Sequence, residues 1–477
     1  MIKKNNADGD FLLIAGMMTG NSLDGADAVL TRFYADGRME DAGAATLPFS
    51  TALSDALRAL RSKVEKANGN IERAAREDPS AFRYVSDAYI RRVAETIRAL
   101  PTHAGAIDAV GLHGQTCAHC PPSAASKNGA YTVQIADAGA LADALGITTI
   151  YDFRSDDIFA GGEGAPFAPL YFLHLAPALR ARAALPVLMI NAGNTANLTL
   201  IYETAPLADT VLGWDAGPCN HFPDMLMREE KNLPFDPNGA WGKQGKIDVD
   251  LLRTLFLGAA VTAKGENFLE LLPPKSSDPL WYKRVPALFS DALPFADRLR
   301  TAEYFSAYII YHALGSLPEG APFPTVALLT GGGRHNAVTL EALGALAQGD
   351  AVGRTSAPVL PEHRERFASI RRRGSFRVAF SEELGIDGHS AEARIFAVAA
   401  HRRICGAPFT LPAVTGCARP AVCGLIRFPH NDAARASAAL LRALPPDDPA
   451  RTTRSQPDLL WSRASAGSPI LSPLPIL

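Results

Sequence analysis

The chain has 477 residues, 47% hydrophobic and 20% charged, with a formal net charge of −2. That length allows two or three domains with a sizeable core, and the composition excludes global disorder. The charge balance excludes nucleic acid as the main partner, because no surplus of Lys and Arg is present to neutralise phosphates.

Residues 11–34 read FLLIAGMMTGNSLDGADAVLTRFY. The apolar run at 11–15 and the alternating run at 26–34 predict two strands. Between them lies a loop rich in glycine and small polar residues, able to turn its N–H groups toward an anion. Gly20 and Gly25 remove Cβ bulk, Asn21 and Ser22 add donors, and Asp24 can hold a magnesium ion directly or through water. This is neither the P-loop pattern nor the dinucleotide fingerprint, and an ordinary hairpin turn is the competing reading. Residues 50–100 have helical spacing and stop at Pro101. Residues 108–116 (DAVGLHGQT) read as a buried strand ending in a polar turn. Residues 131–153 read strand, helix, strand, which predicts a parallel pair with a right-handed crossover. The sequence CAHC at 117–120 is weak evidence for zinc without a second ligand pair. Six cysteines without a regular framework fit a reducing compartment. The N-terminus lacks the apolar core of a signal peptide and no apolar run approaches a membrane span, so the expected location is cytoplasmic.

Residues 153–169 form a glycine-rich loop led by Arg154. Residues 187–202 (VLMINAGNTANLTLIY) repeat the strand–loop–strand plan, which suggests two similar half-domains facing each other across a cleft. Asp215 follows an apolar run and precedes Gly217-Pro218, so it is expected to project from a strand end into that cleft. Cys219 beside it is the thiol most worth testing. Residues 272–276 (LPPKS) read as a stiff exposed turn, and 294–317 as a helix. A third glycine cluster at 328–336 (LLTGGGRHN) suits contact with a nucleotide's base or ribose. Residues 347–377 are dense in Arg and read as a solvated insertion. Residues 381–400 end in a helix containing Glu392. From about residue 430 the periodicity fades, and disorder or loose packing is expected.

Laid out in order, these loops resemble the anhydro-N-acetylmuramic acid kinase family from about residue 11 to 428. GMMTGNSLDGAD (16–27) resembles the family's G-[LM]-M-S-G-T-S-x-D-G-x-D, and LHGQT (112–116) contains its HGQT. DFRSDDIFAGGEGAP (152–166) resembles DFR-x-x-D-x-x-x-GGQGAP, NAGNTANLT (191–199) NIGGIANLT, and GWDAGPCN (213–220) GFDTGPGN. PPKSS (273–277) resembles PPKST, and GGGRHN (331–336) GGG-x-x-N.

The resemblance implies an α/β chain of two actin-like (ribonuclease H-like) lobes flanking a nucleotide and sugar cleft. The lobes would span 1–186 and 187–429, the second with the Arg-rich insertion near 350–377, followed by an atypical tail at 430–477. It implies an ATP-dependent kinase that opens 1,6-anhydro-N-acetylmuramic acid with water and phosphorylates O6, in cell-wall sugar recycling. Asp215 matches the catalytic aspartate. ATP and its phosphates would meet Gly20, Asn21, Ser22, Leu23, Asp24, Gly25, Ala26, Asp27, Gly193, Asn194, Gly331, Gly332, Gly333 and Asn336. His113, Arg154 and Glu392 would meet the sugar, Asp24 would hold Mg²⁺, and the family implies a homodimer. The partners implied are an amino sugar and ATP, with no nucleic acid and no membrane. The chain departs from the family at Asn21, Asn194, Ala216, Cys219 and Glu163. These departures leave open an impaired nucleotide-binding sensor, or a related kinase for another sugar.

Overall fold

The computed structural model describes residues 11–101, 105–123, 125, 129–182, 185–202, 211–262, 264–277, 279–282, 289, 292–348, 357–384, 386, 388, 391–430, 445 and 461–465. The chain divides into two compact units. One holds residues 1–165, 392–412 and 417–477, and the other 166–391 and 413–416. The division falls at 165/166 rather than at the expected 186/187, because the helix Ala168–His174 packs on strands of the second unit.

In the first unit β1 (Phe11–Met18), β2 (Gly25–Tyr34) and β3 (Met39–Pro48) form an antiparallel ribbon. Three helices follow: α1 (Thr51–Lys66), α2 (Ile71–Glu77) and α3 (Pro79–Arg98). Ser50, Asn70 and Asp78 cap them, each side-chain oxygen accepting a first-turn N–H. Apolar stripes such as Leu53, Leu57, Leu60 and Val64 of α1 bury one face of each helix in the core of this unit. Then come β4 (Ala109–Leu112), β5 (Gln115–Cys120), β6 (Tyr131–Ile135), α4 (Ala138–Leu145), β7 (Thr148–Tyr151) and α5 (Phe153–Phe159).

The second unit contains α6 (Ala168–His174), α7 (Ala176–Ala181), β8 (Val187–Ala192), β9 (Thr195–Ile201), β10 (Val211–Pro218), α8 (His221–Lys231) and α9 (Val249–Gly258). It continues with α10 (Pro279–Tyr282), α11 (Phe295–Ala313), β11 (Val326–Thr330), α12 (Ala337–Gln348), α13 (Arg364–Arg373) and β12 (Arg377–Phe380). The chain rejoins the first unit through α14 (Ala391–Ile404), then β13 (Leu425–Arg427) and β14 (Trp461–Ser465).

The two main sheets share one plan. The first runs β13-β7-β4-β1-β2-β3 and the second β10-β9-β8-β11-β12. In each, the first three strands in sequence are antiparallel neighbours, and the next two join parallel on the far side of the first. This three-two-one-four-five order is the ribonuclease H-like arrangement, so the expected α/β fold class of two actin-like lobes is present in both units. Loops at the C-terminal ends of the parallel strands are where such sheets bind ligands. In the first unit, Gly16 and Gly111 pair in register between β1 and β4. A Cβ on either would come within 2.0 Å of a carbonyl oxygen of α14, Ala393 or Phe396 respectively. The paired glycines therefore let α14 lie directly on the sheet.

Three expectations need correction. β6 does not pair with β7. It lies in a separate three-stranded sheet, β14-β6-β5, while β7 runs parallel to β4. The pattern set the element types, but partnership depends on tertiary packing, and β6 pairs antiparallel with both β5 and β14. The Arg-rich stretch is not a solvated insertion where it is described. α13 buries Phe367 and Ile370, Arg366 donates to the His312 carbonyl and the Ser316 hydroxyl, and Arg373 donates to the carbonyls of Leu317 and Ala321. The guanidinium groups close carbonyls at the end of α11, which a count of charge cannot reveal. In the expected tail, residues 461–465 form β14, an edge strand antiparallel to β6. Most of the remaining tail lies outside the described residues.

Candidate active site

In the first unit the expected phosphate loop, Gly20–Gly25, joins β1 to β2, beyond the parallel end of β1. Leu23 has φ 58°, and its buried side chain anchors the loop while Ser22 and Asp24 stay exposed. Ser22 Oγ donates to Asp24 Oδ1 at 2.7 Å. Two residues unassigned from the sequence hold this loop. Gln115 Nε2 donates to the Gly20 carbonyl at 3.2 Å, and the Thr19 hydroxyl lies 3.0 Å from the buried Tyr89 hydroxyl. Asn21 Oδ1 accepts from Arg61 at 3.4 Å, bringing a guanidinium to the loop. Ala26 is buried in β2, and Asp27 accepts from Thr46 across the β2–β3 pair, so these two support the loop from the strand.

The neighbouring strand ends carry the expected sugar residues. His113 follows β4 and Arg154 opens α5, and the structure brings them together: Arg154 Nε donates to His113 Nε2 at 3.1 Å. Arg154 also donates to the Gly164 carbonyl at 2.7 Å, tying in the glycine-rich loop. Burial, helped by the Arg154 charge, pushes His113 well below the ordinary histidine range, so the ring is neutral and accepts from the guanidinium. Its Nδ1 is buried and makes no hydrogen bond within ordinary distance and angle limits. The His113 ring packs 4.6 Å from that of Phe396 on α14. Glu392 lies one turn before Phe396 in the first turn of that helix, on the same helix face. Glu163 accepts from the backbone and hydroxyl of Ser123, so this departure is a loop fastener. Cys117 and Cys120 of CAHC form no disulfide, and no cluster of potential metal ligands among the described residues includes them.

In the second unit Asp215 sits on β10, where a bulge between Asp215 and Gly217 interrupts pairing with β9. Gly217 takes φ 137°, a conformation that suits glycine, and such bulges re-aim adjacent side chains. The residue is 4% exposed. Asn197 Nδ2 donates to Oδ1. Ser277 N at 2.7 Å, Ser277 Oγ at 3.1 Å and Ser276 Oγ at 3.3 Å donate to Oδ2. Burial raises its pKa above the ordinary aspartate value, against the lowering effect of these donors. The stretch expected to be an exposed turn thus supplies the carboxylate's partners: Leu272 and Pro274 are exposed, but Lys275, Ser276 and Ser277 are buried. Lys275 Nζ donates to the Phe268 carbonyl at 2.9 Å, and burial pushes it down to about 7. Only the PPKSS match hinted at these residues.

Beside β10, the turn Gly193–Asn194 joins β8 to β9. Gly193 O accepts from Asn220 N at 3.1 Å, and the Asn194 side-chain oxygen lies 3.1 Å from His221 Nδ1. Since β8 and β11 are parallel neighbours with Thr330 opposite Asn191, Gly331–Gly333 emerge next to this turn. A Cβ at Gly331 or Gly333 would meet Ala192 at 2.9 Å, whereas one at Gly332 would meet nothing within 4 Å. Gly331 and Gly333 are therefore required by close loop packing, and Gly332 presents open backbone. Asn336 is committed elsewhere: its Oδ1 accepts the Val338 and Thr339 N–H groups that open α12, and its Nδ2 donates to buried Glu303. Cys219 is fully buried and its thiol is pushed up to about 12 by burial, so it is not a reactive thiol; Ala216 is likewise buried.

A family model described as anhydro-N-acetylmuramic acid kinase matches residues 12–370. The anhydro-N-acetylmuramic acid kinase of Vibrio cholerae is 32% identical over 426 residues, covering 87% of this chain and 98% of its own. That of Rhizorhabdus wittichii is 30% identical over 418 residues, covering 88% and 99%. A ROK hexokinase from Thermus thermophilus aligns over 80% of this chain and 98% of its own at 14% identity, with a TM-score of 0.31; the fold assignment rests on the strand orders above. With its motifs set at the ends of two matching sheets, and with relatives matched along almost their whole length, the chain belongs to the anhydro-N-acetylmuramic acid kinase family.

Proposed function

We propose that this chain uses ATP and water to open the 1,6-anhydro ring of anhydro-N-acetylmuramic acid and phosphorylate O6, giving N-acetylmuramic acid 6-phosphate and ADP. The observation that carries the reading is Asp215, a carboxylate raised in basicity by burial and fixed by Asn197, Ser276 and Ser277 at the bulge within β10. In this role it takes the proton of a water attacking C1. The C1–O6 bond breaks, and its electron pair leaves O6 as an alkoxide. O6 then attacks the γ-phosphorus as the bond to ADP breaks. Transfer depends on positioning and charge stabilisation more than on covalent help from the protein.

Each unit offers backbone to phosphate: Gly20–Gly25 in the first, Gly193–Asn194 and Gly332 in the second. Arg61, ion-paired with Glu65, also donates to Asn21 and so brings a guanidinium to this loop. Mg²⁺, when bound, would neutralise phosphate charge. Asp24 suits it as an exposed hard-oxygen ligand at this loop. His113, Arg154 and Glu392 are assigned to the sugar, with the unpartnered His113 Nδ1 as the first candidate to meet a hydroxyl or amide. The sensor reading gains nothing from Asn21 and Asn194, whose amide oxygens face Arg61 and His221. We assign the active form to a homodimer. Among the described residues no helix is long and apolar enough to cross a membrane.

The test is Asp215→Asn, assayed for product and for ATP binding by calorimetry. Turnover is expected to fall by about 10²- to 10⁴-fold, the usual contribution of a positioned base, with nucleotide affinity retained. Full turnover in this variant would remove Asp215 from the mechanism.

A further inference from the structure

The second unit carries a cluster of potential metal ligands that the kinase reaction does not use. Glu270 closes the short helical turn Phe268–Glu270, His312 lies in the last turn of α11, and His363 immediately precedes α13. One ligand atom from each lies within 4.8 Å of the other two. Glu270 Oε1 is 3.5 Å from His312 Nε2 and 3.7 Å from His363 Nε2. Those separations are long for hydrogen bonds. They approach the spacing of about 3.4 Å between two ligands placed about 2.1 Å from one tetrahedral ion. His312 is 1% exposed and its Nε2 is without a hydrogen-bond partner. The buried imidazole nitrogen thus faces the Glu270 carboxylate as a long ion-pair contact.

From this geometry we propose that Glu270, His312 and His363 bind one divalent transition-metal ion of the Zn²⁺ class. Two imidazoles and one carboxylate match the nitrogen-and-oxygen sets that such ions select. The surroundings pre-set all three ligands. His363 Nδ1 lies 2.7 Å from the Tyr308 hydroxyl, which directs its Nε2 toward Glu270. Phe256 packs against both rings, with centroid distances of 4.8 and 4.2 Å. Arg366 lies 3.8 Å from Glu270 Oε2. Its charge faces that oxygen, while Oε1 is the atom nearest both imidazoles. The half-exposed Glu270 side chain provides the route of entry and room for a water ligand.

The site has a defined structural consequence. The carbonyls of Phe268 and Leu269, just before Glu270, accept Lys275 Nζ, and the Lys275 carbonyl accepts Asp215 N. An ion on Glu270 would pin the turn that fixes this loop. The role assigned is therefore structural, with no part in bond making.

The experiment titrates metal-stripped full-length protein with Zn²⁺ against a chromophoric chelator, and separately with Co²⁺ followed by visible absorption. The wild type is expected to take up one equivalent and to melt at higher temperature with it. Glu270→Gln and His363→Gln are expected to weaken binding at least tenfold and to lose the thermal gain. Glu270→Gln changes a half-exposed side chain, so an unchanged metal-free melting temperature verifies its fold. The rival thiol site is the exposed Cys405, whose Sγ lies 3.6 Å from His401 Nε2. Cys405→Ser is expected to keep the equivalent, and the Co²⁺ spectrum to lack thiolate charge transfer. The proposal is overturned if no equivalent binds, if both Glu270→Gln and His363→Gln bind like the wild type, or if Cys405→Ser alone abolishes uptake.

Discussion

Asp215 shows how one side chain's environment sets its chemistry. Burial raises its pKa, while the Ser277 amide, the Asn197 amide and two serine hydroxyls oppose the rise. A base must be unprotonated to act, so the rate should climb with pH through this raised value. The acid limb of kcat should therefore lie above the ordinary aspartate value. Ser277→Ala removes one donor to the charged form. A hydrogen bond to a charged group contributes about 1.5 kcal/mol, or about one pKa unit. The acid limb of Ser277→Ala should then move up by about one pH unit, with a smaller loss at alkaline pH. A limb that stayed in place would show that this hydroxyl does not tune the base. The aspartate was legible from its apolar run and the following Gly-Pro. Its partners were not, because LPPKS reads as an exposed turn and only tertiary packing buries Lys275–Ser277. The same limit applies to Asn336, whose place in a glycine motif concealed its use as a helix cap.

At the scale of elements, both strand–loop–strand hairpins could be read from apolar runs interrupted by Gly, Asn and Ser, because local periodicity specifies them. Partnership between distant elements could not. Nothing local says that β6 joins β5 and β14 instead of β7, or that the arginines of α13 close carbonyls near the end of α11. The seat of α14 was likewise hidden, since Gly16 and Gly111 are 95 residues apart in sequence and adjacent only in the parallel register. That seat gives a sharp stability test. A side chain at Gly16 would begin 2.0 Å from the Ala393 carbonyl oxygen. Gly16→Val should cost about 3 kcal/mol, the upper end of ordinary overpacking, as read by urea denaturation. Gly332→Ala, where the new Cβ meets nothing within 4 Å, should stay within about 0.5 kcal/mol. Equal stability in the two variants would refute the close-packing role of Gly16.

For the whole molecule, the repeated three-two-one-four-five sheet explains why the candidate residues sit where they do. Parallel strand ends of the first unit carry Gly20–Gly25, His113 and Arg154. Those of the second carry Gly193, Asn194 and Gly331–Gly333, with Asp215 on the antiparallel side of the same sheet. If the homodimer assignment holds, light scattering on the purified chain should give twice 50.7 kDa. A single-chain mass at assay concentration would rule it out. The central claim is a coupled reaction in which water attacks C1 while O6 receives phosphate. Its most direct test is mass spectrometry of the product formed from anhydro-N-acetylmuramic acid, ATP and Mg²⁺ in ¹⁸O-water, quenched before anomeric exchange. The account predicts a 6-phosphosugar carrying one ¹⁸O at C1 and none in the phosphate. Label in the phosphate, or absence of any phosphorylated sugar, would contradict it.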